Sequence, residues 1–187
     1  MTTPRSTEKT GAIPTGRDAV SNAVLTAAAE LFAEHGPAAT SIRDIADRAG
    51  VNHGLVFRHF GAKQALVGAV LNHLAAASAD ALTGPDPASD PRLRQHWTVL
   101  ARCILDGYPV GELQDRFPVI AHGVATVRER TGDDRAAALT GAHAAAFRLG
   151  WEMFRPFLQA AAGLDEISDA DLDRSIDARL EQLLELD

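Results

Sequence analysis

The apolar positions near the start of the chain recur at the spacing of an α-helix. Between residues 18 and 35 they fall at i, i+4, i+7, i+8 and i+11, so they share one face of a helix. The pair Gly36-Pro37 predicts where this helix ends, because glycine favours the position after a helix and proline does not continue one. The apolar face consists of Val20, Val24, Ala27, Ala28 and Leu31.

Two short amphipathic segments follow at 42–49 and 53–60. Gly50 ends the first and Gly61 ends the second, which predicts a tight turn between two helices. This arrangement is typical of a helix-turn-helix. The residues expected to cap the helices are Thr40 or Ser41, supported by Asp44, for the first and Asn52 for the second.

The pattern beyond residue 62 predicts a helical body with no strand. Alanine is abundant and β-branched runs are scarce, which also favours helices. Pro156 lies inside the longest apolar segment and either kinks that helix or splits it in two. The predicted helices span 63–82, 92–107, 118–130, 133–162 and 168–186, with a Pro/Gly/Asp linker at 83–91 and an irregular stretch at 108–117. The expected fold is therefore all-α, with about nine helices in total.

Charge is unevenly distributed along the 187 residues. The net charge of −7 argues by itself against a nucleic-acid partner. Residues 1–64, however, carry seven Lys/Arg against six Asp/Glu, whereas the remainder carries 11 against 19. This asymmetry is compatible with a basic contact face on an acidic body.

Cys103 is the single cysteine, so no disulfide can form within the chain, as in proteins of a reducing compartment. Its thiol is either a small buried apolar group or a redox sensor, and Arg102 is the one adjacent base. No apolar run is expected to reach the roughly 18–20 residues of a membrane span. The polar N-terminal segment also lacks the apolar core of a secretory signal. We therefore expect a cytoplasmic protein without a membrane partner.

The segment Thr40–Lys63 has the physical character of a DNA-reading unit. Its second helix buries Val56 and Phe60 alone, and such a helix can enter a major groove with its N-terminal residues nearest the base edges. Gly54 costs about 1 kcal/mol relative to alanine, but it lets the backbone approach another surface closely. The alternative is an ordinary three-helix bundle with a polar exposed face.

Three sequence blocks occur at fixed spacing after Arg17. They are AAAELFAEHG at 27–36, TSIRDIADRAGV at 40–51 and GLVFRHFGAKQAL at 54–66. Together they closely resemble the TetR family of bacterial regulators. The resemblance implies that the first short helix positions the unit and the second is the recognition helix.

The resemblance also implies roles for individual residues. Phosphate contacts are implied for Thr40, Ser41, Arg43 and Lys63, proximity to base edges for His53, Gly54 and Leu55, and backbone contacts for Phe57 and His59. Asn52 replaces the usual serine and should cap equally well. Phe57 replaces the usual tyrosine, which removes one phosphate hydrogen bond. Arg58 either contacts a phosphate or reads a guanine bidentately.

In TetR-like proteins the body binds a small effector and forms a homodimer through its last two long helices. Mostly apolar candidates on the central helices suit a lipophilic effector, although each could instead be a core residue. The candidate effector contacts are Trp97, Cys103, Tyr108, Phe117, His122, His143 and Phe147. The candidate interface residues are Gly141, Ala145, Trp151, Ile176, Leu180 and Leu183, unless both helices merely cover the protomer's own core.

No metal or other cofactor is predicted. None of the histidines at 73, 96, 122 and 143 shows i, i+4 pairing or a nearby cysteine pair, as a zinc site requires. The chain also has no Gly-rich phosphate loop, no nucleophile elbow and no carboxylate pair of recognisable spacing. A non-enzyme is therefore expected.

These observations predict a ligand-responsive homodimeric repressor that is released from a palindromic operator in double-stranded DNA. Two recognition helices about 34–36 Å apart would reach successive major grooves. The alternatives are an interaction module with a degenerate DNA-reading head, or an enzyme that processes a small molecule. The predicted organisation is a flexible arm at 1–16, a helix-turn-helix domain at 17–62 and a helical effector-binding and dimerisation domain at 63–187.

Overall fold

The computed structural model describes residues 16–85 and 90–185, and within them it contains nine α-helices and no strand. The arm predicted at 1–16 lies outside the described residues apart from Gly16. The helices are α1 Arg17–Ala39, α2 Ile42–Ala49, α3 His53–Phe60, α4 Lys63–Leu82, α5 Pro91–Leu105, α6 Val110–Leu113, α7 Pro118–Thr131, α8 Asp134–Ala162 and α9 Asp169–Glu185.

The backbone leaves the helical conformation at Gly36, as the sequence predicts. Gly36 has φ 80° and ψ 158°, a conformation that residues with a Cβ rarely adopt, and one further turn follows it to Ala39. Local capping then starts α2. The Ser41 hydroxyl accepts a hydrogen bond from the Asp44 amide, and the Asp44 carboxylate accepts one from the Ser41 amide, which forms the predicted capping box.

The core runs without interruption from the first three helices into the body. Val24 of α1, Ile45 of α2, Val56 of α3 and Leu71 of α4 belong to the same buried cluster as Val99 of α5. Fully excluding such side chains from water is the main favourable term in folding. The predicted boundary between residues 62 and 63 is therefore crossed by packed side chains.

α4 is long and apolar enough to cross a membrane by length and composition, contrary to the expectation from the sequence. Half of its apolar window is buried inside the protein. Leu66, Val67, Val70 and Leu71 are all fully covered by the helices around them, so α4 serves as a core helix here.

α8 is one helix of 29 residues that continues across Pro156. Pro156 therefore does not split it. The Asp133 carboxylate caps its start by accepting from the amides of Arg135 and Ala136. Gly141 packs α8 closely against α7, because a Cβ at this position would overlap Val124. The stretch predicted to be irregular contains the four-residue helix α6.

Candidate DNA-binding site

α3 presents most of its surface to solvent. Val56 is 1% exposed and anchors the helix, whereas His53, Gly54, Phe57 and Arg58 are exposed. Leu55, His59 and Phe60 are partly buried. The helix carries no acidic side chain, so its outward face suits an anionic partner.

Asn52 caps α3 as predicted. Its side-chain oxygen accepts a hydrogen bond of 2.8 Å from the Gly54 amide. A Cβ at position 54 would lie 3.2 Å from the same oxygen. Gly54 therefore has a local reason to be glycine, in addition to the close approach to DNA that the sequence suggests.

The arginines of the first three helices differ in their partners. Arg48 donates to Glu30 and Glu34, both at 3.2 Å, and its hydrogen bond holds the pKa of the Glu34 carboxyl below its usual range. Arg43 and Arg58 form no ion pair or hydrogen bond with any described residue. Arg48 is thus neutralised within the protein, whereas Arg43 and Arg58 keep their charge available.

Thr40 does not lie on the exposed surface that includes α3. It is 2% exposed, and its hydroxyl donates a hydrogen bond of 2.8 Å to the Gly36 carbonyl. The hydroxyl therefore stabilises the turn after α1, and the expectation of a phosphate contact at Thr40 is wrong. Ser41 is exposed beside it, and the Lys63 amino group lies 3.4 Å from the Ala38 carbonyl.

The predicted effector residues are not brought together in one place. Trp97 and Phe117 line a cavity of about 10 Å³, which has room for one water molecule. Trp97 and His122 line a separate groove of about 200 Å³ between α5, α7, α8 and α9. Cys103 belongs to the core cluster and Tyr108 packs against it, while His143 and Phe147 lie on the exposed face of α8.

Burial explains the state of Cys103. Its side chain is fully covered, and removal from water raises the pKa of its thiol to about 12. The thiol is therefore protonated at neutral pH. Of the two readings of Cys103, the geometry favours the buried apolar residue over the redox sensor.

Two buried polar groups were missed by sequence reasoning. The His96 Nδ1 atom lies 2.9 Å from the Ser78 hydroxyl, and its Nε2 atom lies 3.5 Å from the Gln114 side-chain oxygen. Burial lowers the pKa of His96, so the ring is neutral at pH 7. Arg148 is also buried and pairs with Glu152 at 3.0 Å and Asp177 at 2.8 Å, which links α8 to α9. A lone histidine or arginine at helical spacing gives no sequence signal of such pairing.

The predicted interface residues divide by burial. Gly141, Ala145 and Ile176 are buried within their own protomer, so the expectation that they face a partner is wrong. Trp151, Leu180 and Leu183 are partly buried. The exposed stripe of α8 is formed instead by Leu139, Phe147, Phe154 and Phe157.

Known proteins resemble the chain over its whole length. The HTH-type transcriptional repressor Rv3405c of Mycobacterium tuberculosis is 50% identical over 187 residues, covering 99% of each chain. The HTH-type transcriptional regulator Mb3439c of Mycobacterium bovis is related to the same extent. The HTH-type transcriptional repressor KstR2 of Rhodococcus jostii is 48% identical over 48 residues, which is 26% of this chain and 24% of that protein.

Solved structures share the fold. A TetR-like transcriptional regulator from Rhodococcus sp. RHA1 aligns with a TM-score of 0.58 and 21% identity, covering 91% of this chain and 96% of its own. The protein SCO4942 from Streptomyces coelicolor aligns with a TM-score of 0.59 and 21% identity, covering 88% and 97%. The family model described as bacterial regulatory proteins, tetR family, matches residues 24–70, which include the helix-turn-helix. The chain belongs to the TetR family of helix-turn-helix transcriptional regulators, which bind DNA.

Proposed function

We propose that the protein is a homodimeric repressor that reads a palindromic duplex through α3 and is released by a small, mostly apolar effector. The proposal that the protein reads DNA rests on α3. This helix is capped at its start, anchored in the core by Val56 and free of acidic side chains, and most of its surface is exposed to solvent. A helix of this kind fits the major groove of B-DNA.

The proposed contacts follow from exposure and charge. Ser41, Arg43, Arg58, His59 and Lys63 are placed to contact phosphates. His53, Gly54 and Leu55, at the start of α3, are placed to meet the base edges, and Phe57 is placed beside the DNA backbone. Asn52 caps the helix that carries them. The unpaired charge of Arg58 supports either contact, because a guanidinium forms paired hydrogen bonds both to phosphate and to the edge of guanine.

The exposed face of α8 supports the homodimer. Phe154 is 52% exposed and Phe157 is 67% exposed, and both lie on the stripe with Leu139 and Phe147. Contiguous apolar side chains of this size are normally covered by a partner. A second copy of α8 provides a matching apolar surface under twofold symmetry.

The space around Trp97 supports effector binding by the body. Trp97 lines both the small cavity beside His96 and Gln114 and the larger groove beside Arg148 and Asp177. Apolar walls with a few polar groups are typical of small-molecule sites.

Selection of bound duplexes from a random pool tests the proposal. The full chain is expected to enrich a palindrome with half-sites one helical turn apart, or a multiple of it. Binding should weaken steeply as salt is raised, because phosphate contacts release counterions. The absence of any enriched duplex at low salt would contradict the proposal.

A further inference from the structure

The turn that ends α1 and leads into α2, residues 36–40, is held by the body of the protein. The Asp106 carboxylate, on the residue that follows α5, accepts a hydrogen bond of 2.6 Å from the Ala38 amide. These two residues are 68 positions apart in the chain. A carboxylate acceptor makes such a bond about twice as strong as one between neutral groups.

The sequence at this turn fits the carboxylate closely. Gly36 has a φ of 80°, and a Cβ on it would lie 2.9 Å from the nearer Asp106 oxygen. Glycine is therefore favoured here both by its backbone conformation and by the approach of Asp106. The Lys63 amino group lies 3.4 Å from the Ala38 carbonyl, so the start of α4 and the residue after α5 both contact the Ala38 backbone.

The turn connects two functional parts of the molecule. Ser41, the capping residue of α2, follows it directly. α5 carries Trp97 of the proposed effector site and ends just before Asp106, about 14 Å further along at 1.5 Å per residue. A shift of α5 along its axis would therefore reach the start of α2 through Asp106.

We infer that Asp106 is a positioning residue, whose carboxylate fixes the orientation of the helix-turn-helix relative to the body and thereby sets the affinity for DNA. This inference rests on the proposed DNA-reading function. For a variant without this carboxylate, it predicts a change in DNA affinity opposite to the one expected from charge repulsion alone. Removing an acidic group near DNA should by charge alone strengthen binding, whereas loss of the bond to Ala38 should weaken it.

The test compares Asp106→Ala, Asp106→Asn and Asp106→Glu with the wild-type protein. Each full chain is titrated with the duplex recovered by the random-pool selection, and the hydrogen exchange of the Ala38 amide is measured without DNA. Asp106→Ala should bind on the order of tenfold more weakly, because the turn then samples orientations that do not fit the duplex. Asp106→Asn keeps an oxygen acceptor of the same reach and should bind within about threefold of the wild type.

Two further variants complete the comparison. Asp106→Glu keeps the charge but moves it by one methylene, so its affinity should lie between those of the alanine and asparagine variants. If Asp106→Ala does not fold, Asp106→Glu decides the question, since affinity equal to that of the wild type in this variant would overturn the inference. Asp165→Ala is the matched control, since Asp165 is an exposed carboxylate of the body far along the chain from the turn. Its affinity should equal that of the wild type.

The results are decisive in each case. Wild-type affinity or tighter binding by Asp106→Ala would overturn the inference, as would unchanged exchange of the Ala38 amide in that variant. If the wild-type protein bound no duplex, the proposed function would fail and the role of Asp106 in DNA affinity with it. The exchange data would then still show whether Asp106 holds the turn, so the two failures are distinguishable.

Discussion

At the scale of single residues, charge pairing separates arginines that look alike in the sequence. Arg48 is neutralised by Glu30 and Glu34, whereas Arg43 and Arg58 have no partner among the described residues. Only an unpaired guanidinium keeps its full attraction for phosphate or guanine. The surface proposed to contact DNA therefore contains fewer available cations than the number of basic residues in the sequence suggests.

Replacement of Arg58 tests this distinction. Arg58→Ala should weaken duplex binding by about 1–3 kcal/mol per protomer, because it removes one charged contact from each. Titration of the selected duplex at fixed salt measures the change. Arg48→Ala is the comparison variant and should lower affinity less than Arg58→Ala, since Arg48 is already paired. Equal loss in both variants would contradict the assignment, and no loss in either would favour an interaction module with a degenerate head.

A substitution at Phe57 is expected to strengthen DNA binding. Its ring is 64% exposed, so a hydroxyl added at its edge displaces no packed atom. Phe57→Tyr should therefore tighten binding by roughly 1 kcal/mol, the typical value of a hydrogen bond, without changing the salt dependence. Titration at two salt concentrations measures both quantities. Weaker binding by the variant would mean that the ring itself contacts an apolar part of the DNA.

At the scale of elements, α2 depends on its capping box. Hydrogen bonds from the Ser41 backbone and hydroxyl lower the pKa of the Asp44 carboxyl. Because the folded pKa lies below the unfolded one, this carboxylate stabilises the protein above the unfolded value, and the contribution is lost as pH falls through the folded value.

The capping box can be tested by pH-dependent unfolding. Asp44→Ala should be less stable than the wild type at pH 7, and the gap should narrow as pH falls below about 4, where the unfolded carboxyl is protonated. Denaturant unfolding at several pH values measures this gap. Asp47→Ala, at an exposed acid on the same helix, is the control. A gap independent of pH would show that the Asp44 charge is not what stabilises α2.

The exposed stripe of α8 should control assembly. Phe154→Glu places a charge in the proposed contact between two copies and should convert the dimer to a monomer. Sedimentation equilibrium measures the mass. Ile104→Glu, at an exposed apolar residue on α5, should leave the mass unchanged. A Phe154→Glu variant with wild-type mass would place the interface elsewhere.

At the scale of the whole molecule, an acidic body is combined with a DNA-binding head, residues 16–64, on which Arg43 and Arg58 are exposed and have no partner among the described residues. Residues 65–187 carry 11 basic and 19 acidic side chains, so attraction to DNA depends on a few cations at the head. Arg43, Arg58 and Lys63 are the cations of the proposed contact set. The continuous core from α1 to α5 joins this head to the body rather than leaving it on a free linker.

The salt dependence of binding measures the number of these cations. Six phosphate contacts per dimer should give a slope of about −5 in log affinity against log salt, at roughly 0.9 per phosphate. Arg43→Ala should reduce the slope by about 2, because the dimer loses two contacts. Titration between about 50 and 200 mM salt measures both values. A wild-type slope shallower than about −2 would show that the contact set is too large.

The sequence by itself determined the features that arise within a few residues of chain. The helical spacing, the glycines at helix ends, the capping box at Ser41 and Asp44 and the cap at Asn52 are all local, and the structure contains each of them. The motif blocks also identified the family, because the residues of a helix-turn-helix are close in sequence. The described residues form the expected nine helices, although Pro156 does not split α8 and α6 lies in the stretch predicted to be irregular.

Only the tertiary structure decided which helix faces remain exposed and which charged side chains remain unpaired. It buried Thr40 under the turn after α1, paired Arg48 with α1 and turned Gly141 and Ile176 towards their own protomer. It also dispersed the predicted effector residues and brought Asp106 to Ala38. Each of these outcomes depends on contacts between distant segments, whose geometry is set by the packing of whole helices rather than by local propensity.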